Sequence, residues 1–357
     1  MPSLDGGGAE RVILNIAAGF AKRGVPTDLV LTRAQGEYLN QVPGDVNVVD
    51  LRANRVLRSM LPLAAYLRRR RPHALLAALD HANLVAMAAS RLAGARTRTV
   101  ISVHCTFPKS VQQPADVREA AIPWLLGRMH RWADAIVAVS EGVAADLSAT
   151  TGIPGERIEV IYNPVITPDL LSAASAAPAH GWFVDSSPVV LGIGRLVPQK
   201  NFLLLLEAFR AVRRERMVKL VILGEGPERP ALESYIERHG LSECVALPGF
   251  LANPYPCMSR AAVTALSSNF EGLPTVLVES LALGTPVVST DCESGPREIL
   301  RNGMLGDLVP VNDAAALARA IARALDRPRS IAPVEALGPF MLETVLDRFR
   351  SVLHLEK

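Results

Sequence analysis

The chain has 357 residues, 49% of them hydrophobic and 20% charged, which is long for one core, ample for two domains and too apolar for a disordered polypeptide. A net charge of +3 with only 5% aromatic residues argues against a dedicated nucleic-acid binder, which would carry a basic face with interleaved aromatics. The four cysteines, Cys105, Cys244, Cys257 and Cys292, form neither a CxxC pair nor a Cys/His ligand set, so reduced thiols in a cytoplasmic protein are expected rather than zinc or disulfides; no apolar run reaches the roughly 18 residues that span a bilayer.

Residues 1–10 read as a loop containing Gly6, Gly7 and Gly8, followed by a helix over 11–20. A βα rhythm expects a strand ahead of Pro2 and none is present, which implies a start set too far downstream or a shortened chain. Glycines before a helix let backbone approach a ligand closely, though flexible loops use them as well. Strands are expected at 27–31 and 47–51 and a helix at 60–69. Between Asp50 and Asp80 stand Arg52, Arg55, Arg58 and Arg68 to Arg71, with no acid among them. Such a run is either a solvated helix face or a patch for anionic headgroups, where each basic residue adds about 1 kcal/mol. Val56, Leu57, Met60, Leu61 and Leu63 supply either an amphipathic surface for a lipid-linked acceptor or core. A strand at 74–79, a helix at 83–92 and a strand at 99–103 bring His104 to a strand's C-terminal end, where ligands gather in open α/β sheets; a lone histidine is otherwise a satisfied structural residue. A strand at 135–139 ends in Ser140, Glu141 and Gly142, and Ser140 suits an N-cap. Residues 158–164 read as a hinge, and the Ala/Ser-rich stretch 172–180 as linker.

The second half opens with a strand at 189–193 and the segment GIGRLVPQKN ahead of a helix at 202–213. Gly192 and Gly194 permit close backbone approach, and Arg195 and Lys200 add two cations. Arg195 and Leu196 follow Gly194, so no G-x-G-x-x-G dinucleotide fingerprint is completed, which counts against an NAD-dependent oxidoreductase. A strand at 219–223 leads to Gly224, Glu225 and Gly226, and one at 244–247 leads to Pro248, Gly249, Phe250 and Leu251. After a strand at 262–266, Phe270 and Glu271 precede Gly272, Leu273 and Pro274. Pro274 suits the first helical position and Gly284 the helix end, before a strand at 286–290. The N–H groups near Thr275 to Leu277 then offer a phosphate site that needs no metal. Glu279, about 7 Å further along the axis, leans its side chain back toward that site. Two acids beside an anion site repel the anion; they make sense as acceptors for sugar hydroxyls. No Asp-x-Asp metal clamp occurs. A capped helix after Cys292, a strand at 307–310 and a helix over 340–355 complete the reading.

Glu271 and Glu279 are separated by seven residues in the setting EGLPTVLVE, followed by GTPVV. This is similar to the Glu-x7-Glu motif of glycosyltransferase family 4, retaining enzymes of the GT-B fold, and the resemblance is strong over 188–338 and looser over 1–164. It implies an α/β protein of two facing Rossmann-like domains with parallel sheets. Residues 1–164 would form the acceptor-side domain without its first strand, 165–187 a linker, 188–338 the donor-binding domain, and 339–357 a helix crossing back to the first domain. By the same resemblance Glu271 touches the donor sugar, Glu279 holds the ribose, and His104 contacts the sugar near the reacting centre. Gly194, Arg195 and Lys200 bind the diphosphate, with His104, Glu271, Arg195 and Lys200 as the catalytic set. Gly7 and Gly8 form the family's acceptor-side loop, counted here with the donor contacts. Gly224 and Gly226 form the nucleotide-side loop, Phe250 and Leu251 meet the base largely through backbone, and Gly272, Leu273, Pro274 and Thr275 line the helix start. The implied substrates are a nucleotide-sugar, UDP-linked in preference, and a glycan or lipid-linked acceptor of envelope polysaccharide synthesis. No metal, cofactor or nucleic acid is implied, and peripheral contact with an anionic membrane is. A nucleotide-sugar-binding GT-B protein without transferase activity is the competing reading, since fold does not fix function.

Overall fold

The computed structural model describes residues 1–106, 124–185 and 187–355, so residue 186 of the expected linker and residues 356–357 of the C-terminal segment lie outside the described residues. The chain separates into two compact units, Met1–Pro164 with Pro339–Lys357, and Val165–Gly338.

The first unit runs α1 (Gly8–Lys22), β1 (Thr27–Leu31), β2 (Val46–Asp50), α2 (Met60–Arg70), β3 (Ala74–Ala78), α3 (Asp80–Ala93), β4 (Arg98–Val103), β5 (Ala135–Ala138) and β6 (Ile158–Val160). All its pairings are parallel, in a two-stranded sheet β1-β2 and a four-stranded sheet β3-β4-β5-β6. In α1 the residues Val12, Ile13, Ile16, Ala17 and Phe20 recur at helical spacing and are buried. This helix begins three residues before the expected Arg11, because Gly7 serves as N-cap and the Glu10 carboxylate folds back to within 2.1 Å of where a Gly7 Cβ would sit. Similarly, α3 starts at Asp80 rather than Asn83: Leu79 has φ +76° and breaks the strand, and Asn83 is a fully buried residue within the helix whose Nδ2 donates to the Ser102 carbonyl at 2.8 Å.

The C-terminal segment is a 3-10 turn at Gly338–Phe340 followed by a helix at Leu342–Leu353. It is not one helix from 340, because Met341 is extended (φ −71°, ψ 137°). This helix packs on α1 within the first unit. Leu346 is fully buried and a Cβ on Gly19 would lie 2.6 Å from its Cδ1, so a larger residue there would force the Leu346 side chain to shift. Arg23 pairs with Glu343 and, at 2.6 Å, with Asp347.

The stretch 165–187, read as linker, packs as part of the second unit. It contains a helix at Asp169–Ala174, and its carbonyls accept from Asn253 Nδ2 at 3.0 Å and Arg260 at 3.2 Å.

The second unit holds β7 (Val189–Ile193), β8 (Lys219–Leu223), β9 (Val245–Gly249), β10 (Val263–Leu266), β11 (Val287–Thr290) and β12 (Asp307–Val309). They form one parallel sheet in the order β12-β11-β10-β7-β8-β9. Runs such as LVIL at 220–223 and VVL at 189–191 are apolar throughout because parallel strands are covered on both faces; Leu205, Leu206 and Phe209 of the helix Phe202–Glu215 and Leu317 and Ile321 of the helix Ala314–Leu325 supply cover and are buried. The chain builds outward from β7 to β9, then crosses to β10 on the other side of β7, which makes the β7/β10 junction a topological switch point.

Leu346→Ala is expected to destabilise the first unit by about 2–5 kcal/mol, read from urea denaturation. A loss as small as that of an exposed substitution would contradict the docking of the C-terminal helix.

Candidate functional site

The C-terminal ends of β7, β8 and β9 carry loops that touch backbone to backbone. The Gly194 N–H donates to the Leu223 carbonyl at 3.0 Å and the Gly224 N–H to the Gly249 carbonyl at 2.9 Å, which carries β9 two residues past the expected Leu247. A Cβ built on Gly224, at φ +140°, would stand 1.9 Å from the Gly194 oxygen, and one on Gly226 2.4 Å from the Leu196 oxygen. No other residue type fits these positions. Phe250 and Leu251 follow β9 directly, both half-buried.

Across the switch point the loop after β7 is tied to the loop after β10. The Asn269 N–H donates to the Gln199 carbonyl at 2.8 Å. Gln199 Nε2 donates to the Phe270 carbonyl at 2.9 Å, and Ser267 Oγ to the Lys200 carbonyl at 2.9 Å. These bonds hold Lys200 Nζ 2.6 Å from Glu271 Oε1, and Ser268 Oγ donates to the same oxygen at 2.6 Å. Glu271 is only 5% exposed, and the Lys200 stem lies over Gly194, 3.2 Å from where its Cβ would be. A buried carboxylate is costly unless paired and hydrogen-bonded, and both conditions are met. Arg195 is exposed, and its guanidinium has no ion pair among the described residues.

The helix after this loop spans Thr275–Ala282, with Pro274 as its N-cap at φ −72° and ψ 95°. Pro274 therefore lies one position earlier than expected. The Leu277 N–H is occupied by the Pro274 carbonyl at 3.1 Å, so the first-turn donors left without an intrahelical acceptor are those of Thr275 and Val276. Leu273 and Gly272 are buried beneath them. Gly295, at φ +85°, abuts the same point, since a Cβ there would fall 2.5 Å from Pro274 Cδ. Glu279 is 6% exposed, and the Tyr255 hydroxyl donates to its Oε1 at 3.4 Å. Burial pushes the Cys292 thiol up to about 12, with the Glu271 carboxylate adding to the shift and Lys200 opposing it.

The second unit thus brings together Gly194, Arg195, Lys200, Gly224, Gly226, Phe250, Leu251, Glu271, Gly272, Leu273, Pro274, Thr275 and Glu279 on the loops and first helical turns that follow its strands. His104, Gly7 and Gly8 belong to the first unit. His104 follows β4, is 8% exposed, and has Nε2 3.0 Å from Ser102 Oγ. Burial holds its imidazole down to about 4, which favours the neutral ring near neutrality. Gly8 is the first residue of α1 and faces open space.

Sequence reasoning missed Ser268, Gln199, Asn269, Tyr255 and Ser102 as supports. Ser268 stands three residues before Glu271, the S-x-x-E spacing of a local side-chain bond, and was findable. Tyr255 reaches Glu279 from 24 positions away, with no local signal.

The seven arginines between Asp50 and Asp80 are all exposed; Arg70 pairs weakly with Asp28 at 3.5 Å and Arg68 donates to the Leu92 carbonyl at 3.0 Å. The apolar residues among them divide. Val56, Met60 and Leu63 pack into the core between α2 and α3, while Leu57 and Leu61 are 71% and 68% exposed. Among the described residues no helix is long and apolar enough to cross a membrane, and no three His, Cys, Asp or Glu side chains cluster to hold a metal.

Two Rossmann-like units with parallel sheets, and a C-terminal helix that returns to the first, constitute the GT-B fold of glycosyltransferases. Residues 6–167 match the family described as Glycosyltransferase Family 4, and residues 187–327 the family described as Glycosyl transferases group 1. The chain is 34% identical, over 66% of its length and 62% of the relative's, to N-acetylgalactosamine-N,N'-diacetylbacillosaminyl-diphospho-undecaprenol 4-alpha-N-acetylgalactosaminyltransferase of Campylobacter jejuni. It is 35% identical, over 47% of its length and 50% of the relative's, to the lipopolysaccharide core biosynthesis glycosyltransferase LpsE of Rhizobium meliloti. These matches therefore span between half and 62% of the relatives. Among solved structures, Anabaena Alr3699/HepE in complex with UDP-glucose superposes with a TM-score of 0.79 at 22% identity, covering 99% of this chain and 98% of that one.

A thiol held at about 12 is protonated and unreactive near neutrality. Iodoacetamide at about pH 8 should modify exposed Cys105 and spare Cys292. Because the folded value exceeds the ordinary 9.0, the stability from this thiol is present below that value and is lost as pH rises toward about 12. Equal alkylation of Cys105 and Cys292 in the folded protein would contradict the burial.

Proposed function

We propose that this chain is a retaining, metal-independent glycosyltransferase of family 4. It would move a hexosyl or N-acetylhexosaminyl group from a nucleotide-sugar, UDP-linked in preference, to a glycan or lipid-linked acceptor in envelope polysaccharide synthesis. The observation that carries this reading is the Lys200–Glu271 pair at 2.6 Å, spanning the switch point of the second unit's sheet. A fixed cation and a fixed carboxylate side by side suit a ligand in which a phosphate and a hydroxyl-bearing ring are neighbours. Both family models and the curated relatives point to the same class.

In this account the diphosphate lies against Arg195, Lys200 and the Thr275 and Val276 N–H groups. The Lys200 ammonium has three N–H bonds; one meets Glu271, which leaves two for phosphate oxygens. Glu271 accepts from a donor-sugar hydroxyl, and Glu279, held by Tyr255, accepts from the ribose. Gly194, Gly224 and Gly226 keep the backbone low enough for the nucleotide to approach, and Phe250 and Leu251 meet its base. His104, as neutral imidazole, hydrogen-bonds the sugar, and Gly7 and Gly8 leave room for a ligand at the head of α1. When the bond from the anomeric carbon to phosphate breaks, its electron pair goes to the phosphate oxygen. The cations and N–H dipoles are aimed at that growing charge, so they stabilise the transition state more than the ground state. The acceptor oxygen bonds the same face of the anomeric carbon, and its proton passes to the departing phosphate.

Arg52, Arg55 and Arg58, around exposed Leu57 and Leu61, suit a membrane surface that presents a lipid-linked acceptor: the leucines enter the headgroup boundary and the arginines meet anionic lipid.

Transfer from UDP-, GDP- and ADP-linked sugars, assayed in EDTA, tests the reading. Glu279→Ala should weaken donor binding about tenfold, the worth of one hydrogen bond to a charged group. Lys200→Ala should lower kcat by about a hundredfold with a smaller change in donor affinity. Native rates in both variants would remove these residues from the site, and donor binding without any transfer would favour a non-catalytic binder.

Vesicles containing phosphatidylglycerol should retain the protein while phosphatidylcholine vesicles do not. Replacing Leu57 and Leu61 together by serine should abolish the retention; equal binding to both vesicles, or no effect of the serines, would exclude this surface.

A further inference from the structure

Lys200 is held by more than its bond to Glu271. It lies within a run of four consecutive residues that each meet a group from the loop after β10. The Pro198 carbonyl accepts from Asn269 Nδ2 at 3.0 Å, the Gln199 carbonyl from the Asn269 N–H at 2.8 Å and the Lys200 carbonyl from Ser267 Oγ at 2.9 Å, while Asn201 Nδ2 donates to Asn269 Oδ1 at 3.1 Å. Asn201 also reaches a third loop, since its Nδ2 donates to Asn312 Oδ1 at 3.0 Å. Asn312 stands three residues past β12, the edge strand that β11 and β10 separate from β7. One side chain thus ties together the loops that follow β7, β10 and β12.

The orientation of its amide is fixed from both ends of this chain of bonds. At one end the Leu204 N–H can only donate, so Asn201 turns Oδ1 toward it, at 3.3 Å, and caps the helix Phe202–Glu215. At the other end the Pro198 carbonyl can only accept, so Asn269 turns Nδ2 toward it and Oδ1 toward Asn201. The two assignments agree, and they direct both Asn201 amide hydrogens at Asn269 and Asn312. The backbone narrows the choice of residue further. Asn201 lies in the left-handed region, at φ +46° and ψ 50°, which glycine, asparagine and aspartate tolerate best. Glycine has no amide, and aspartate keeps the cap but lacks both donors.

We propose that Asn201 is a positioning residue for sugar transfer that acts through Lys200, tethering the loop after β7 to the loops after β10 and β12 so that the ammonium stays in place while a phosphate takes up charge. This rests on the reading of Lys200 as a cation that faces the diphosphate. A growing negative charge pulls on the ammonium, and a loop free to follow it would reorganise during the reaction; a tethered loop keeps the cation aimed at the place where the charge develops.

Two variants separate the tether from the cap. Asn201→Asp retains the capping oxygen and tolerates the backbone but loses both donors, and Asn312→Ala removes only the tether to the loop after β12 and adds no charge. Amide hydrogen exchange at Asn269, whose N–H bonds the Gln199 carbonyl, should quicken about tenfold in the first and about threefold in the second, with the β8 amides unchanged. In steady-state transfer kcat should fall by similar factors while the donor KM stays within about twofold, and the double variant should be no worse than Asn201→Asp alone. Native exchange and kcat in Asn201→Asp would reduce Asn201 to a helix cap and overturn the proposal. So would an Asn312→Ala variant indistinguishable from the native protein, which would assign the aspartate's effect to its charge, and so would losses that multiply in the double variant. If the native protein transfers sugar from no nucleotide-linked donor, the reading of the site fails by itself, and the exchange rates alone decide the tether.

Discussion

A lysine and a glutamate meet where the second unit's sheet reverses its strand order, and the arrangement of that unit's loops depends on their meeting. Lys200 arrives from the loop after β7 and Glu271 from the loop after β10, strands adjacent in the sheet but separated by more than sixty residues of chain. Neither charge would be stable at such burial alone. Together, with Ser268 on the same carboxylate oxygen and the Gln199–Phe270 and Asn269–Gln199 bonds around them, they hold two loops in one geometry before any ligand arrives. Such preorganisation is what electrostatic catalysis requires, because dipoles already in place need not reorganise as charge develops.

The glycines serve the same end by a different route. Gly224 and Gly226 let the loop after β8 rest on the main chain of Gly194 and Leu196, bringing three strand ends close enough that backbone, rather than side chains, forms much of the surface. A surface of that kind would read a ligand by shape and main-chain hydrogen bonds, which side-chain identities record only weakly.

The alternation of apolar runs with helix starts placed β1 and β7 to the residue, whereas β6, Ile158–Val160, lies in the stretch 158–164 read as a hinge, because three residues with an exposed Glu159 at their centre leave no apolar run to read. Helix starts were less legible. Asn83 and Pro274 are both good boundary residues, yet one lies inside its helix and the other caps it, since the left-handed φ of Leu79 and the Leu277–Pro274 bond settled the first turn through local backbone geometry that residue types do not record. The stretch 165–187, expected as a linker, groups with the second unit, and the hydrogen bonds from Asn253 and Arg260 that tie it there come from far along the sequence. Of the candidate site, the charged residues and glycines were visible from spacing, while Tyr255 and Ser102 were not, because a hydroxyl that orients a functional group carries no pattern of its own. The arginine-rich stretch needed coordinates to separate Leu57 and Leu61, which face solvent, from Val56, Met60 and Leu63, which do not.

The central claim is that an activated sugar's diphosphate rests at the β7/β10 junction without a divalent ion. Diffraction from crystals grown with UDP and EDTA tests it most directly. The account predicts phosphate density within hydrogen-bonding distance of Lys200 Nζ and of the Thr275 N–H, with the ribose against Glu279. Nucleotide density elsewhere in the second unit, or density at this junction that appears only when magnesium or manganese is supplied, would contradict it.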